Sequence, residues 1–390
     1  MHESSQSLAE HLRSTIDPIR IVANGSWLNA GRPTAEASPL SVQGVRGIVE
    51  YVPGDLTITV RAGTPHSEID AATFHEGQWL GLDPAGAHLG TVGATIATAA
   101  AGPLVHGIGA VRDIVLGLEV VSGNGVITRS GGKVVKNVAG FDLVRLQTGA
   151  WGTLGIITEV SLRLRARPET DETVAIELDG RTPLLAHLIR LKGLTLSPLS
   201  IELIGAPLAT TLGISSQQLF LIRLGGNETR VKAQRAQLAT LGALNDCNTT
   251  IWESLQRLDH DNAVSHSDCA VARVSHLPSQ LPLAWSHVHS ELSSVSLAPV
   301  LSRATISRGT VRLVVPHSPS LSRDEYRAAV SSVTRTLAPP GGHVVWERLP
   351  KDAWTNVPSA VADRLSRGLQ RTFDPDSRCN SGILGATFVG

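Results

Sequence analysis

The chain has 390 residues, 42% hydrophobic and 17% charged, which excludes a disordered polymer and leaves room for two domains with large cores. Lysine plus arginine equals aspartate plus glutamate at 34 each, and only five Phe and two Tyr are present, so no basic or stacking surface for nucleic acid is expected. Cys247, Cys269 and Cys379 are far apart and odd in number; they form neither a disulfide framework nor a zinc-type pair and suggest a reducing compartment.

The first twenty residues hold no apolar core of signal-peptide length, and the mild run from Leu89 to Val105 is too short to span a bilayer, so a cytoplasmic chain without a direct membrane span is expected. From the N-terminus, Ser7 to Ser14 read as a short amphipathic helix. Ile19, Ile21 and Val22 then read as a strand ending in Ala23-Asn24-Gly25-Ser26. Such a turn can leave several backbone N–H groups aimed at one centre, a concavity suited to phosphate oxygens, while an ordinary Asn-Gly hairpin turn fits as well. Residues 47–62, GIVEYVPGDLTITVRA, alternate with period two around Pro53-Gly54-Asp55 and predict two paired strands. Pro65 and Ser67 open a helix running to about Glu76, stopped by Gly77. His66 and His75 on it lack partners at ligand spacing and read as surface or cap residues.

Between Gly86 and Gly102 most side chains are Gly, Ala or Thr, which would leave a core under-filled. Two accounts fit: a bulky planar ligand lying there, with Thr91, Thr95 and Thr98 offering hydroxyls, or close helix-to-strand packing by small residues. DIVLGLEVV and GVIT then form a hairpin around Gly123-Asn124-Gly125. Further on, Gly149, Gly152 and Gly155 recur at intervals of three, with Trp151 and Thr153 between them and Ile157, Val160, Leu162 and Leu164 behind. They describe backbone brought close to something flat or anionic and then led into a strand, although a tight turn against a neighbouring strand would use the same glycines. No G-x-G-x-x-G follows the first strand, and there is no P-loop, G-x-S-x-G elbow or H-E-x-x-H helix.

Three runs, RGIVEYVPGDLTITVRAGTPHSEIDAA (46–72), GTVGATIATAAAGPLVHGIGAVRDIVLGLEVVSGNG (90–125) and KNVAGFDLVRLQTGAWGTLGIITEVSLRL (136–164), together resemble the FAD-binding (PCMH-type) domain of the vanillyl-alcohol oxidase and p-cresol methylhydroxylase superfamily. Within it they are most similar to the FAD-binding E subunits of bacterial glycolate oxidases, and RTFDPDSRCNSG (371–382) resembles the family's closing segment. The resemblance implies non-covalent FAD. Val22, Ala23, Asn24, Gly25, Ser26 and Trp27 would wrap its pyrophosphate, and the segment with Gly90, Thr91, Gly93, Ala94, Thr95, Thr98 and Gly102 would line the diphosphate, ribitol and adenine side. Gly149, Gly152, Thr153 and Gly155 would close over it, with Ile157 near the adenine and Asn380 in the closing segment. The chain departs from the family pattern at Ala23-Asn24-Gly25, Gly149-Ala150 and Asn380-Ser381-Gly382. No His or Cys falls in the first loop or in 90–102; His88 and His106 flank the latter and match no covalent attachment motif. Gly93→Val is expected to release the cofactor with the fold kept.

Past Pro168 the texture changes to strand, helix, strand, strand, helix, and after a polar connection the same order returns. The expected fold is α+β: a PCMH-type FAD-binding domain over 1–168, a ferredoxin-like (split βαβ) cap over 169–358, and a C-terminal segment, 359–390, returning to the first domain. Asn227 and Ser322 look like helix N-caps, the second with Glu325 in a capping box, and Gly242 looks like a helix stop. Oxidation of a 2-hydroxy acid needs a base and a cation for the carboxylate. His106, Arg112, Arg303, Arg308, Arg312 and His343 are candidates, each equally readable as structural, so no catalytic residue is assigned. His287 and His289 sit on different helix faces, and the group Asp259, His260, Asp261, His266 and Cys269 reads as loop polarity; no metal is expected. By the resemblance, the chain is an oxidoreductase subunit acting on a small 2-hydroxy acid beside a larger flavin subunit and an iron–sulfur subunit, through which it would associate with a membrane. The alternative is an FAD-binding structural or electron-relay subunit without a substrate site.

Overall fold

The computed structural model describes residues 4–34, 37–86, 89–132, 142–257, 269–297, 299–317 and 320–385. Two compact units divide the chain: residues 1–102, 109–167 and 358–390 form one, and 103–108 with 168–357 the other.

In the first unit, β1 (Ile19–Val22) runs parallel to β2 (Ser38–Ser41). β3 (Ile48–Val52) and β4 (Thr57–Arg61) form the anticipated hairpin, closed by a single 3₁₀ turn at Pro53–Asp55. β5 (Gln78–Trp79) stands apart, pairing later with β9 (Arg165–Ala166). With β6 (Val115–Val121), β7 (Ile127–Gly131) and β8 (Ile156–Arg163), the hairpin completes an antiparallel sheet in the order β3-β4-β8-β6-β7. Period-two burial along β8 hides Val160 and Leu162 and leaves Glu159, Ser161 and Arg163 half-buried.

The first helix, Ser5–Ser14, is capped by Ser4, whose Oγ accepts from the Ser7 N–H at 3.2 Å. It buries Leu8, Ala9 and Leu12 in a cluster with Ile19, Val121, Ile156 and Cys379. The closing segment returns to the other edge of β1: the Ile19 N–H donates to Arg378 O at 2.9 Å, and the Asn380 N–H donates to Ile19 O at 2.9 Å. The expected helix from Pro65 to Glu76 spans His66–Phe74. The small-residue segment holds a short helix, Val92–Thr98, that periodicity did not announce. Apart from Ala94 and Ala97 its residues are weak helix formers, and at seven residues it is too short to stand alone, so packing decides its state. The Gly93 N–H donates to Ala62 O at 2.8 Å, an approach that a side chain would block.

The second unit has an eight-stranded antiparallel sheet. Its first half contains β10 (Thr170–Glu177), the helix Leu184–Lys192, β11 (Ser200–Ile204), β12 (Leu219–Gly226), the helix Glu228–Leu238 and β13 (Asn245–Cys247). The second half repeats this with β14 (Ala270–Ser275), the helix Leu281–Ser294, β15 (Leu301–Thr305), β16 (Thr310–Val315), the helix Arg323–Val333 and β17 (His343–Arg348). The order β13-β10-β12-β11-β15-β16-β14-β17 is the ferredoxin-like 4-1-3-2 arrangement followed by its mirror in order, joined where β11 meets β15. The four helices bury Leu188, Val231, Val288 and Tyr326, among others, on one face. Trp252, Leu208 and Leu255 cover part of the other. Asn227 and Ser322 cap their helices as expected, Ser322 within a capping box with Glu325. The helix before Gly242 ends earlier, at Leu238.

Candidate functional site

A cleft of about 750 Å³, counting its part open to solvent, lies in the first unit among the loop after β1, the helix Val92–Thr98, the turn at Trp151–Gly155 and Asn380. Val22, Ala23, Asn24, Gly25, Ser26 and Trp27 form one wall. Gly25 turns the chain at φ +79°, with no atom within 4 Å of where a Cβ would stand. Among the described residues, the backbone N–H groups of Ala23, Asn24 and Gly25 have no acceptor, so three donors line the cleft unspent.

Arg20 lies on the same wall and is the one charged residue of the lining among the described residues. Its Nη2 donates to the carbonyls of Trp27 (3.3 Å), Leu28 (3.2 Å) and Ala30 (3.3 Å), tying the end of the loop back to β1. Burial lowers its pKa from the ordinary arginine value, but a guanidinium remains charged at neutral pH. Sequence reading missed this residue. The available signal was a lone cation inside the strand IRIV.

From the next segment, Thr91, Gly93, Ala94 and Thr98 line the cleft, whereas Gly90, Thr95 and Gly102 do not. The three threonine hydroxyls are used internally. Thr91 Oγ1 caps the helix by accepting from the Ala94 N–H at 3.4 Å, and Thr98 Oγ1 donates to Ala94 O at 2.8 Å. Thr95 Oγ1 shares a 2.8 Å hydrogen bond with His66 Nε2. Burial pushes His66 down to about 4, so that imidazole is neutral at pH 7 and joins two helices, rather than standing as a surface or cap residue. A Cβ on Gly102 would come within 1.8 Å of Asp83 O, and one on Gly93 within 2.7 Å of the Ala62 Cβ. The expectation for Gly93→Val is therefore corrected: the added side chain meets protein, so the substitution disrupts packing as well as the cleft.

Of the glycine turn, Gly152, Gly155 and Ile157 line the cleft, and Gly149 and Thr153 do not. Thr153 Oγ1 donates to Ala150 O at 2.7 Å. All three glycines have positive φ, at +86°, +68° and +132°. Added Cβ atoms would meet the Ala99 Cβ at 3.2 Å, Asn380 Nδ2 at 2.8 Å and Val121 O at 2.5 Å respectively. Both readings of the triad hold together, since the turn needs glycine for its own packing and two of the three line the cleft. Asn380, itself at φ +46°, fastens it: Oδ1 accepts from the Ile21 N–H at 2.9 Å and Nδ2 donates to Trp151 O at 2.7 Å. Trp151 meets Trp27 edge to face, ring centres 5.7 Å apart. Ile21, Val42, Ala62, Ala97 and Ile383 complete an apolar lining.

These features suit a ligand with a flat apolar body and a diphosphate: unspent backbone donors, a single cation and apolar walls. Among the described residues no His or Cys lines the cleft, and no group of His, Cys, Asp and Glu could hold a metal. His88, the stretch 136–141 of the third family-like run, and Asp259, His260, Asp261 and His266 lie outside the described residues.

The proposed catalytic groups fare differently. In the second unit Arg303 Nη1 meets Glu202 Oε2 at 3.0 Å, and Arg312 Nη1 meets Glu347 Oε2 at 2.7 Å, both in buried ion pairs. Arg112 is exposed beside Asp113, and His343 is exposed at the start of β17. His106 is half-buried with Nδ1 unpartnered, pushed down to about 4 by burial and by Arg308, whose Nη2 donates to Val105 O at 3.2 Å.

Residues 2–131 match the FAD binding domain family. Over 240 residues the chain is 38% identical to glycolate oxidase subunit GlcE of Escherichia coli (strain K12), covering 60% of this chain and 64% of that one. Over 195 residues it is 34% identical to glycolate oxidase subunit GlcD of Bacillus subtilis (strain 168), covering 48% and 41%. The chain thus spans less than two thirds of either relative. Its fold is shared with 4-ethylphenol oxidase from Gulosibacter chungangensis at a TM-score of 0.71 and 13% identity, over 99% of this chain and 88% of that one. No helix among the described residues is long and apolar enough to cross a membrane.

Proposed function

We propose that this chain, an FAD-binding protein of the p-cresol methylhydroxylase and vanillyl-alcohol oxidase superfamily, is the FAD-holding subunit of an oxidoreductase acting on a small 2-hydroxy acid such as glycolate. The observation that carries the reading is the cleft, where unspent N–H groups of Ala23, Asn24 and Gly25 meet Arg20 on an otherwise apolar surface. Bound flavin supplies acceptance of two electrons from the hydroxyl-bearing carbon. The chain's own part is to hold and orient it. Backbone donors after β1 take the diphosphate, Asn380 keeps the Trp151 turn against β1, and the apolar lining excludes water from the rings. On this reading the hold is non-covalent, in keeping with a lining that has neither His nor Cys among the described residues. Similarity to proteins named as glycolate oxidase subunits GlcE and GlcD supports a multi-subunit assembly; the family resemblance would make the partners a larger flavin subunit and an iron–sulfur subunit, with any membrane association passing through them.

A second reading is favoured by a specific observation: Arg303 and Arg312, which could have taken a substrate carboxylate, are held by Glu202 and Glu347. On that reading the chain carries FAD as an electron relay or structural subunit and has no substrate site. The two separate in an anaerobic spectrum of the purified chain. Bleaching of the flavin band by glycolate or lactate alone supports the first. A yellow protein that bleaches only after a partner subunit is added supports the second, and a chain that binds no flavin overturns both.

A further inference from the structure

We infer that Arg20 binds the cofactor's diphosphate and makes the cleft prefer a dinucleotide flavin over a mononucleotide or phosphate-free one. The inference rests on the cofactor reading above. Among the described residues Arg20 is the only charged residue lining the cleft, and no ion pair holds its guanidinium. Only its Nη2 is used by the protein, for three carbonyls of the neighbouring loop; Nε and Nη1 make no hydrogen bond there. A half-buried guanidinium with no counter-charge is costly unless an anion supplies one. The same three carbonyls fix its position, and the unspent N–H groups of Ala23, Asn24 and Gly25 lie on the same wall. Together they place one cation and three N–H groups without acceptors on one wall, a set that suits two linked phosphates, and a guanidinium can meet phosphate oxygens with two parallel N–H groups. A net charge of zero for the whole chain leaves this local cation to supply the attraction.

The test uses the full chain stripped of flavin and titrated with FAD, FMN, riboflavin and ADP by fluorescence and calorimetry, at low and high salt. For Arg20→Gln we expect FAD and ADP affinity to fall about ten- to a hundredfold while riboflavin binding is unchanged. Arg20→Lys should retain part of the preference, and added salt should weaken FAD binding by the wild type more than by Arg20→Gln. Unchanged FAD binding by Arg20→Gln overturns the inference. So does an equal loss of FAD and riboflavin, which would mark Arg20 as a brace for the loop. Should Arg20→Gln not fold, the wild type and Arg20→Lys decide: salt-independent FAD binding by the wild type, or no FAD-over-riboflavin preference, is equally fatal. A wild type that binds none of the four ligands removes the cofactor reading itself, a different failure from a variant that keeps FAD.

Discussion

Asn380 holds a left-handed backbone while both ends of its amide bind chain far away in sequence, the Ile21 N–H and the Trp151 carbonyl. Asn380→Ala removes one buried and one part-buried hydrogen bond and places alanine where asparagine is favoured; a loss of about 2 to 4 kcal/mol in urea unfolding is expected, with weaker FAD retention. Gly93→Ala should lower the melting temperature even in flavin-free protein, because its Cβ meets Ala62 at 2.7–2.8 Å; an unchanged apo melt would contradict this packing. His66 gives the acid response a residue-level origin. Its ring titrates near 6.5 when unfolded and about 4 when folded, so between those values the unfolded chain binds a proton the folded chain refuses. The stability is full above pH 6.5 and falls as pH drops towards 4, by about 1 to 2 kcal/mol after allowing for screening. His66→Gln should flatten that fall in denaturation measured from pH 7 to 4.5.

The seam between the two ferredoxin-like halves is a β11–β15 ladder that pairs Glu202 with Thr305 and Ile204 with Arg303. Glu202 is fully buried; its two oxygens take Thr305 Oγ1 at 2.6 Å and Arg303 Nη1 at 3.0 Å. Glu202→Ala deprives a buried guanidinium of its carboxylate and should cost about 3 to 5 kcal/mol by chemical denaturation, whereas Glu202→Leu with Arg303→Met should recover most of it. If the single and double variants lose equal stability, the seam is not held through this pair. At the helix Arg323–Val333, Ser322→Ala removes the Oγ that accepts from the Glu325 N–H at 3.2 Å and leaves the 2.8 Å bond from its own backbone N–H to Glu325 Oε2, for about 1 kcal/mol.

Across the whole molecule, the first unit is assembled from three separated stretches of chain and the second from two. Truncation after Val357 would remove Arg378, Cys379 and Asn380 from the edge of β1 but no strand of the eight-stranded sheet. Calorimetry of that truncated chain should lose the transition of the first unit and keep that of the second. Much of this was legible locally. Period-two alternation marked β3, β4 and β8, the Gly123-Asn124-Gly125 turn marked β6 and β7, the doubled strand and helix order marked the ferredoxin-like halves, and Ser322 with Glu325 marked a helix start, because backbone sterics and near-neighbour hydrogen bonds set each within a few residues. The sequence by itself also determined that loops of tiny residues cluster in the first part of the chain. Only the tertiary structure decided what each of them does: Gly102 and Gly149 make room for Asp83 and Ala99, Thr95 serves His66, and Arg20 joins the cleft. The contacts that settle these roles join residues tens of positions apart, and the Ile21–Asn380 bond that fastens the glycine turn joins residues 359 positions apart; no periodicity or turn chemistry reports a neighbour that distant along the chain.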